Sequence, residues 1–292
     1  MEQNITYHCP ACNSIEQSVK LELKDYFLTQ ESFQILTCKS CGLGHTQPRP
    51  SIENIGSYYK SESYVSHSSS NKGLINKVYN LVRTRTIKKK LSLLSSLTQG
   101  NDLLDIGSGT GHFLKAAQNC GFVVIGLEPD VDARNFALSE HQLQLLDSSE
   151  LYTLNKKFDV ITMWHVLEHV YELNKDLEQI SNLLNDSGVF VVAVPNHSSF
   201  DAAYYGKFWA AYDVPRHLYH FTPDTIIPLV EKFNLKFDSI YPMKFDSYYV
   251  SMLSEKLKQG SLINALRIGW LSNFKAKKST CSSQIYVFRK NS

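Results

Sequence analysis

The 292-residue chain has no apolar run approaching the ~18–20 residues that a bilayer span needs. Its opening, MEQNITYHCPAC, lacks the basic segment and apolar core of a secretory leader. A cytoplasmic protein without a membrane span is therefore expected. Excess charge is also absent: 30 Lys and Arg face 28 Asp and Glu, for a net charge of +2 and a pI of about 8.1. No global field draws nucleic acid or an anionic membrane, so either partner would need a local patch. Internal repeats are missing, and low complexity is confined to a short serine cluster. A disulfide framework is missing too, because four of the six cysteines fall in two CxxC pairs while Cys120 and Cys281 stand far apart. What remains is an ordinary globular composition, 43% hydrophobic and 20% charged, long enough for one large or two modest domains.

The CxxC pairs are Cys9/Cys12 in "CPAC" and Cys38/Cys41 in "CKSCG", with residues 13–37 between them. Each pair sits on a tight knuckle that can aim two sulfurs at one centre, and four thiolates close a tetrahedral shell around a structural zinc. Alternation in "SFQILT" suggests strands between the knuckles. A zinc ribbon over residues 1–50 is expected.

Residues 51–98 read as a linker, a possible lid and a helix. Tyrosines crowd "YYKSESYVSH", and apolar residues from Leu74 to Leu97 recur at helical spacing around Lys88, Lys89 and Lys90, a run that reads as a solvated face. From residue 99 to 292, apolar strands alternate with amphipathic helices: "DLLDIG", "FVVIGLE", "LQLLD", "FDVITMW" and "VFVVAVPN". Two strand-like runs follow, "LKFDSIYPMKFDSYYVSMLSEKL" and "SSQIYVFRK", as an antiparallel edge pair. This predicts an α/β fold: a Rossmann-like, doubly wound, mostly parallel sheet of seven strands, with the small ribbon in front.

In such a sheet ligands bind beyond the carboxyl ends of the strands. There the chain reads "LLDIGSGTGHF", with Gly107, Gly109 and Gly111 baring the backbone before a helix N-terminus, and Glu128 ends the next strand about 20 residues on, where a carboxylate can grip ribose hydroxyls. A dinucleotide fingerprint would want a small residue where His112 stands. Asp105 would repel a pyrophosphate but can sit beside the amino group of a zwitterionic, sulfonium-bearing ligand.

"LLDIGSGTGHFL", "VVIGLEPD" and "KFDVITMWHVLEHV" resemble the first, second and fourth motifs of class I S-adenosylmethionine-dependent methyltransferases, over roughly residues 100–196. The resemblance implies that Asp105, Gly107, Gly109 and Gly111 line the methionine end and that Glu128 binds the ribose. It places Asp147 or Ser148 near the adenine and Trp164 near the cofactor. "WHVLEHV" is similar to the ubiquinone-pathway O-methyltransferases, whose acid-x-x-Glu-His pattern holds a divalent cation; here His165 replaces the acid. "FWAAYDVPRHLYHFTPDT" is similar to small-molecule methyltransferases that carry an N-terminal zinc ribbon.

His165 and His217 are the candidate general bases, since imidazole suits proton removal near neutral pH. Trp209, Arg216 and His220, with Tyr59 and Tyr64 from the lid, are candidate substrate contacts. The resemblance favours a small or carbohydrate-linked acceptor. Nucleic acid is not the expected partner, because neither knuckle is rich in Lys or Arg. A zinc-ribbon RNA or protein methyltransferase, and a cofactor-binding module without turnover, remain as alternatives.

Overall fold

The structure, a computed structural model, describes residues 7–59, 74–276 and 279–291. Three strands come first: β1 (Gln17–Lys24), β2 (Ser32–Cys38) and β3 (Gly44–Gln47). Helix α1 (Leu74–Leu97) leads into the alternating core of β4 (Asp102–Ile106), α2 (His112–Asn119), β5 (Val123–Leu127), α3 (Val131–His141), β6 (Phe158–Trp164), α4 (Leu173–Leu183) and β7 (Leu184–Pro195). After it come α5 (Phe200–Tyr205), β8 (Tyr219–His220), α6 (Pro223–Glu231), β9 (Leu235–Pro242), α7 (Lys244–Leu257), α8 (Leu262–Lys275) and β10 (Ser283–Lys290).

The main sheet runs β5-β4-β6-β7-β10-β9, with the first four strands parallel and β10 antiparallel to both neighbours. Its strands are apolar on both faces because both are covered. Leu104, Ile161 and Val192 pack into one buried cluster, while the intervening Leu103, Val160 and Val191 pack into another.

The expected seventh strand is not formed: "LQLLD" touches β5 through a single bridge, Leu127 to Leu146. The Leu143 amide is spent on the Ala137 carbonyl at the end of α3, and Asp147 turns the chain by accepting from the Ser149 amide. Only Leu146 is left to pair. The run over residues 235–257 also divides, into β9 and then α7. Its second half buries Ser247, Val250, Ser251 and Ser254, a spacing of three to four that belongs to a helix. β9 and β10 form the expected antiparallel pair that closes one edge of the sheet, with β10 against β7 and β9 outermost.

The ribbon sheet is β1-β2-β3-β8, so its fourth strand comes from residues 219–220, far along the chain. Polar contacts complete the seam. The Thr46 hydroxyl donates to the His217 carbonyl at 2.6 Å and lies 2.9 Å from His220 Nε2. The Arg49 guanidinium donates to the Tyr171 carbonyl at 2.7 Å and lies over the Tyr171 ring. Arg216, 1% exposed, sits between two carboxylates: Nη2 is 2.9 Å from Asp25 Oδ1 and 2.7 Å from Asp213 Oδ1. Asp25 also accepts from the Phe27 and Thr29 amides, so it shapes the β1–β2 turn while it pairs with Arg216.

Burial pushes the Asp25 carboxyl up, but Arg216 and the turn amides outweigh burial and hold it below its ordinary 3.8. Its stabilisation is therefore complete at neutral pH and is lost as the pH falls through about 4 and lower. Asp25→Ala is expected to cost about 3–5 kcal/mol at pH 7, as for other broken buried pairs, and the difference from the parent is expected to shrink in acid. Urea unfolding at several pH values measures both.

Candidate functional site

The glycine loop leaves the end of β4 and runs into α2. Gly107 has φ +74° and Gly109 φ +53°, left-handed values that side chains rarely tolerate. A Cβ on Gly107 would lie 2.3 Å from Val166 Cγ2, so the loop turns tightly against the segment after β6. A Cβ on Gly109 would meet nothing within 4 Å, which leaves open space above the loop. Gly111, also left-handed at φ +79°, caps α2 without a side-chain hydrogen bond, so the first amides of that helix are free for an anionic group.

Glu128, at the end of β5, is buried and closes over this loop. Oε2 accepts from the Gly109 amide at 2.7 Å and Oε1 from the Asp130 amide at 3.0 Å, which leaves each oxygen further lone pairs. Asp105 is buried beneath the loop and accepts from the Thr162 hydroxyl at 2.6 Å. Lys90 reaches from α1 to place Nζ 4.0 Å from the Trp164 ring centroid. Burial lowers the Lys90 pKa and raises that of Asp105, and the opposite charge of each counters the shift of the other. Asp147 lies nearby in sequence but is occupied: it caps the turn at Ser149 and pairs with Arg134 at 2.9 Å, with Ser148 beside it half-buried.

Beyond β6, His165 adopts φ +58° and lies between two carboxylates, with Nε2 3.0 Å from Asp246 Oδ2 on α7 and Nδ1 3.5 Å from Glu168 Oε1. Burial opposes its charge, but Asp246 and Glu168 prevail and push its pKa up to about 9. At neutral pH it is an imidazolium and has no lone pair to accept a proton. Glu168 is 1% exposed; its carboxylate meets His165 as a 3.5 Å ion pair, and neither carboxylate oxygen accepts a well-formed hydrogen bond.

His217 meets this group from the other side. Its Nδ1 lies 2.9 Å from the Ala211 carbonyl, an acceptor only, so Nδ1 carries the hydrogen and Nε2 the lone pair. Burial, with His169 beside it, holds its pKa down at about 3. His169 Nδ1 contacts the Arg216 carbonyl at 2.9 Å and the Tyr59 hydroxyl at 3.0 Å. One ligand atom each from Glu168, His169 and His217 lies within 4.8 Å of the others, a donor set that suits a divalent cation.

The other expected contacts are placed differently. Trp209 is buried, donates to Asp201 at 2.8 Å and packs edge-on against Tyr212. Arg216 and His220 are used in the seam with the ribbon. Tyr64 lies outside the described residues. In the ribbon, the Cys9–Cys41 and Cys12–Cys38 sulfurs are 3.5 Å apart and all four lie within 4.8 Å of one another. That is too long for a disulfide and close to the edge of a tetrahedron with metal–sulfur bonds of about 2.3 Å.

A protein-family profile described as "Methyltransferase domain" matches residues 79–240, more than half of the chain. The chain belongs to this methyltransferase family. A ubiquinone biosynthesis O-methyltransferase from Glaesserella parasuis is 30% identical to the methyltransferase over 112 residues, 34% of this chain and 48% of that protein. One from Pelagibacter ubique is 27% identical over 130 residues, 40% and 54% of the two chains. The methyltransferase thus spans about half the length of these curated relatives. Among solved structures, magnesium protoporphyrin IX methyltransferase from Synechocystis with bound SAH aligns with a TM-score of 0.53 at 12% identity, over 81% of this chain and 98% of that one. A SAM-dependent methyltransferase from Archaeoglobus fulgidus aligns with a TM-score of 0.50 at 18% identity, over 71% and 94%. These likenesses establish the fold.

Two site residues of the methyltransferase escape a reading of sequence. Lys90 reads as one run with Lys88 and Lys89, which are exposed, yet it falls three residues after Ile87 and four before Leu94 on the packed face of α1. That spacing was the available signal. Asp246 had none, because it lay within a run that reads as strand. Gly107→Ala is expected to destabilise the methyltransferase by more than about 1 kcal/mol, through both φ and the Val166 contact. Gly109→Ala, with open space at its Cβ, is expected to cost less, and comparison of their urea midpoints checks the order.

Proposed function

We propose that the methyltransferase uses S-adenosylmethionine to methylate a hydroxyl group of a small or carbohydrate-linked acceptor, with His217 as general base and zinc on Cys9, Cys12, Cys38 and Cys41. The observation that carries this reading is that Glu128 grips the glycine loop, Asp105 and Lys90 bear on each other's charge beneath it, and His165 joins Asp246 to Glu168 beside His217. When bound, S-adenosylmethionine supplies a methyl group on a positively charged sulfur. Glu128 offers free lone pairs to ribose hydroxyls, Asp105 suits the ammonium of the methionine end, and Lys90 with the α2 amides suits its carboxylate. Trp164 offers an aromatic wall beside them.

His217 holds a lone pair at Nε2 and is neutral at physiological pH, so it can take a hydroxyl proton as the acceptor oxygen attacks. Glu168 and the Ala211 carbonyl favour the positive charge that then develops on the ring, against burial and His169, which keep His217 a weak base. His165 holds Glu168 in place and acts as a positioning residue. The relatives named as O-methyltransferases support an oxygen acceptor. A second reading rests on the unsatisfied Glu168 oxygens: a divalent cation held by Glu168, His169 and His217 would acidify the acceptor hydroxyl in place of a neutral imidazole.

The test supplies methyl-labelled S-adenosylmethionine together with a metabolite extract, RNA and protein, and asks which fraction takes the label. The small-molecule fraction is expected to be labelled, whereas label in RNA or protein would overturn the acceptor class. Calorimetry with S-adenosylhomocysteine is expected to show binding that Glu128→Ala and Lys90→Met weaken. His217→Asn is expected to leave that binding intact and to lower turnover by about 10²–10⁴-fold. Turnover that vanishes on chelation and returns with Mg²⁺, while the cysteine-bound metal stays in place, would select the cation reading.

A further inference from the structure

The α7–α8 hairpin carries an apolar face that nothing covers among the described residues. On α8, Ile263, Leu266, Trp270 and Phe274 follow one another at three- and four-residue steps and so share one side of the helix. They are 81%, 48%, 54% and 73% exposed. Trp270 and Phe274 stack with ring centroids 5.2 Å apart. On α7, Phe245 and Met252 are also exposed. The opposite side of α8 buries Ala265, Ile268, Gly269 and Ser272 against the rest of the fold, so the exposed stripe is additional to what holds the helix in place.

The exposed charge on this hairpin has one sign. Lys244, Lys256, Lys258, Arg267 and Lys275 are exposed, and α8 contains no acidic residue. The carboxylates of α7 are Asp246 and Glu255, and both turn inward. Asp246 meets His165, and Glu255, which is buried, accepts from the Ser261 amide and the Asn264 side chain. Aromatic and aliphatic side chains beside lysines and arginine are what a helix lying in a membrane interface presents. A symmetric contact between two copies would bring the same cations together without a carboxylate on this face to meet them.

We propose that the outer face of the α7–α8 hairpin docks on the surface of an anionic lipid bilayer. Trp270, Phe274 and Ile263 enter the headgroup–acyl boundary, and Arg267, Lys256 and Lys275 meet lipid phosphates. The docking is peripheral and reversible, and it falls as salt screens the cations.

The test uses the 292-residue chain as purified with vesicles of phosphatidylcholine alone and of phosphatidylcholine mixed with phosphatidylglycerol. Sedimentation is expected with the anionic vesicles, weaker with neutral ones and weaker in high salt. Trp270 is far more exposed than the buried Trp209, so a blue shift of tryptophan emission should accompany binding and should be lost in Trp270→Phe. The double variants Trp270→Ala/Phe274→Ala and Arg267→Glu/Lys275→Glu are each expected to weaken binding by about ten-fold or more, with the thermal midpoint unchanged. Failure of the parent protein to bind anionic vesicles would overturn the proposal, as would equal binding by both variants. A dimer that Trp270→Ala/Phe274→Ala dissociates, without vesicle binding by the parent, would overturn it in favour of a second copy.

Discussion

A guanidinium cannot shed its charge, so burying Arg216 obliges the fold to bring carboxylates to it. It is met by Asp213 from its own loop and by Asp25 from the turn between two ribbon strands. Neither unit can relax alone without leaving a charge unpaired in the interior. His217 follows Arg216 directly, and Tyr219 and His220 add the fourth strand to the ribbon. The ribbon therefore acts on the candidate site by holding the segment that carries His217.

The same economy of opposed charges organises the candidate site. Lys90 stands against Asp105, and His165 stands between Asp246 and Glu168. Two histidines that look alike in sequence are driven to opposite protonation states by these neighbours. His165, held by two carboxylates, is cationic, while His217, buried beside His169 and fixed by the Ala211 carbonyl, is neutral. Their environments leave a lone pair on His217 and none on His165. The unsatisfied Glu168 carboxylate lies where these two environments meet.

The parts legible in the sequence were those set by local rules. The two CxxC knuckles, the bare glycine loop, Glu128 at a strand end and the 3.6-residue period of α1 each follow from short-range geometry. What escaped was decided at long range. The β3–β8 pairing and the Asp25–Arg216 contact join segments that share no local signal, so Arg216, His220 and Trp209 read as pocket residues although the fold uses them for packing and the seam. "LQLLD" has the composition of a strand, but its first amide is claimed by α3 and its aspartate by the next turn. The second half of residues 235–257 reads as strand because its tyrosines and valine favour strands, and only the serine spacing marks the helix.

The ribbon forms a structural part of the candidate site, because Asp25 and Thr46 hold Arg216 and the His217 carbonyl. Hydrogen exchange read by mass spectrometry, before and after the cysteine-bound metal is stripped by a chelator, tests it most directly. The predicted result is that residues 209–222 lose protection together with β1–β3, while the glycine loop and β4–β6 keep theirs. Full protection of residues 209–222 over an unfolded ribbon would contradict the account.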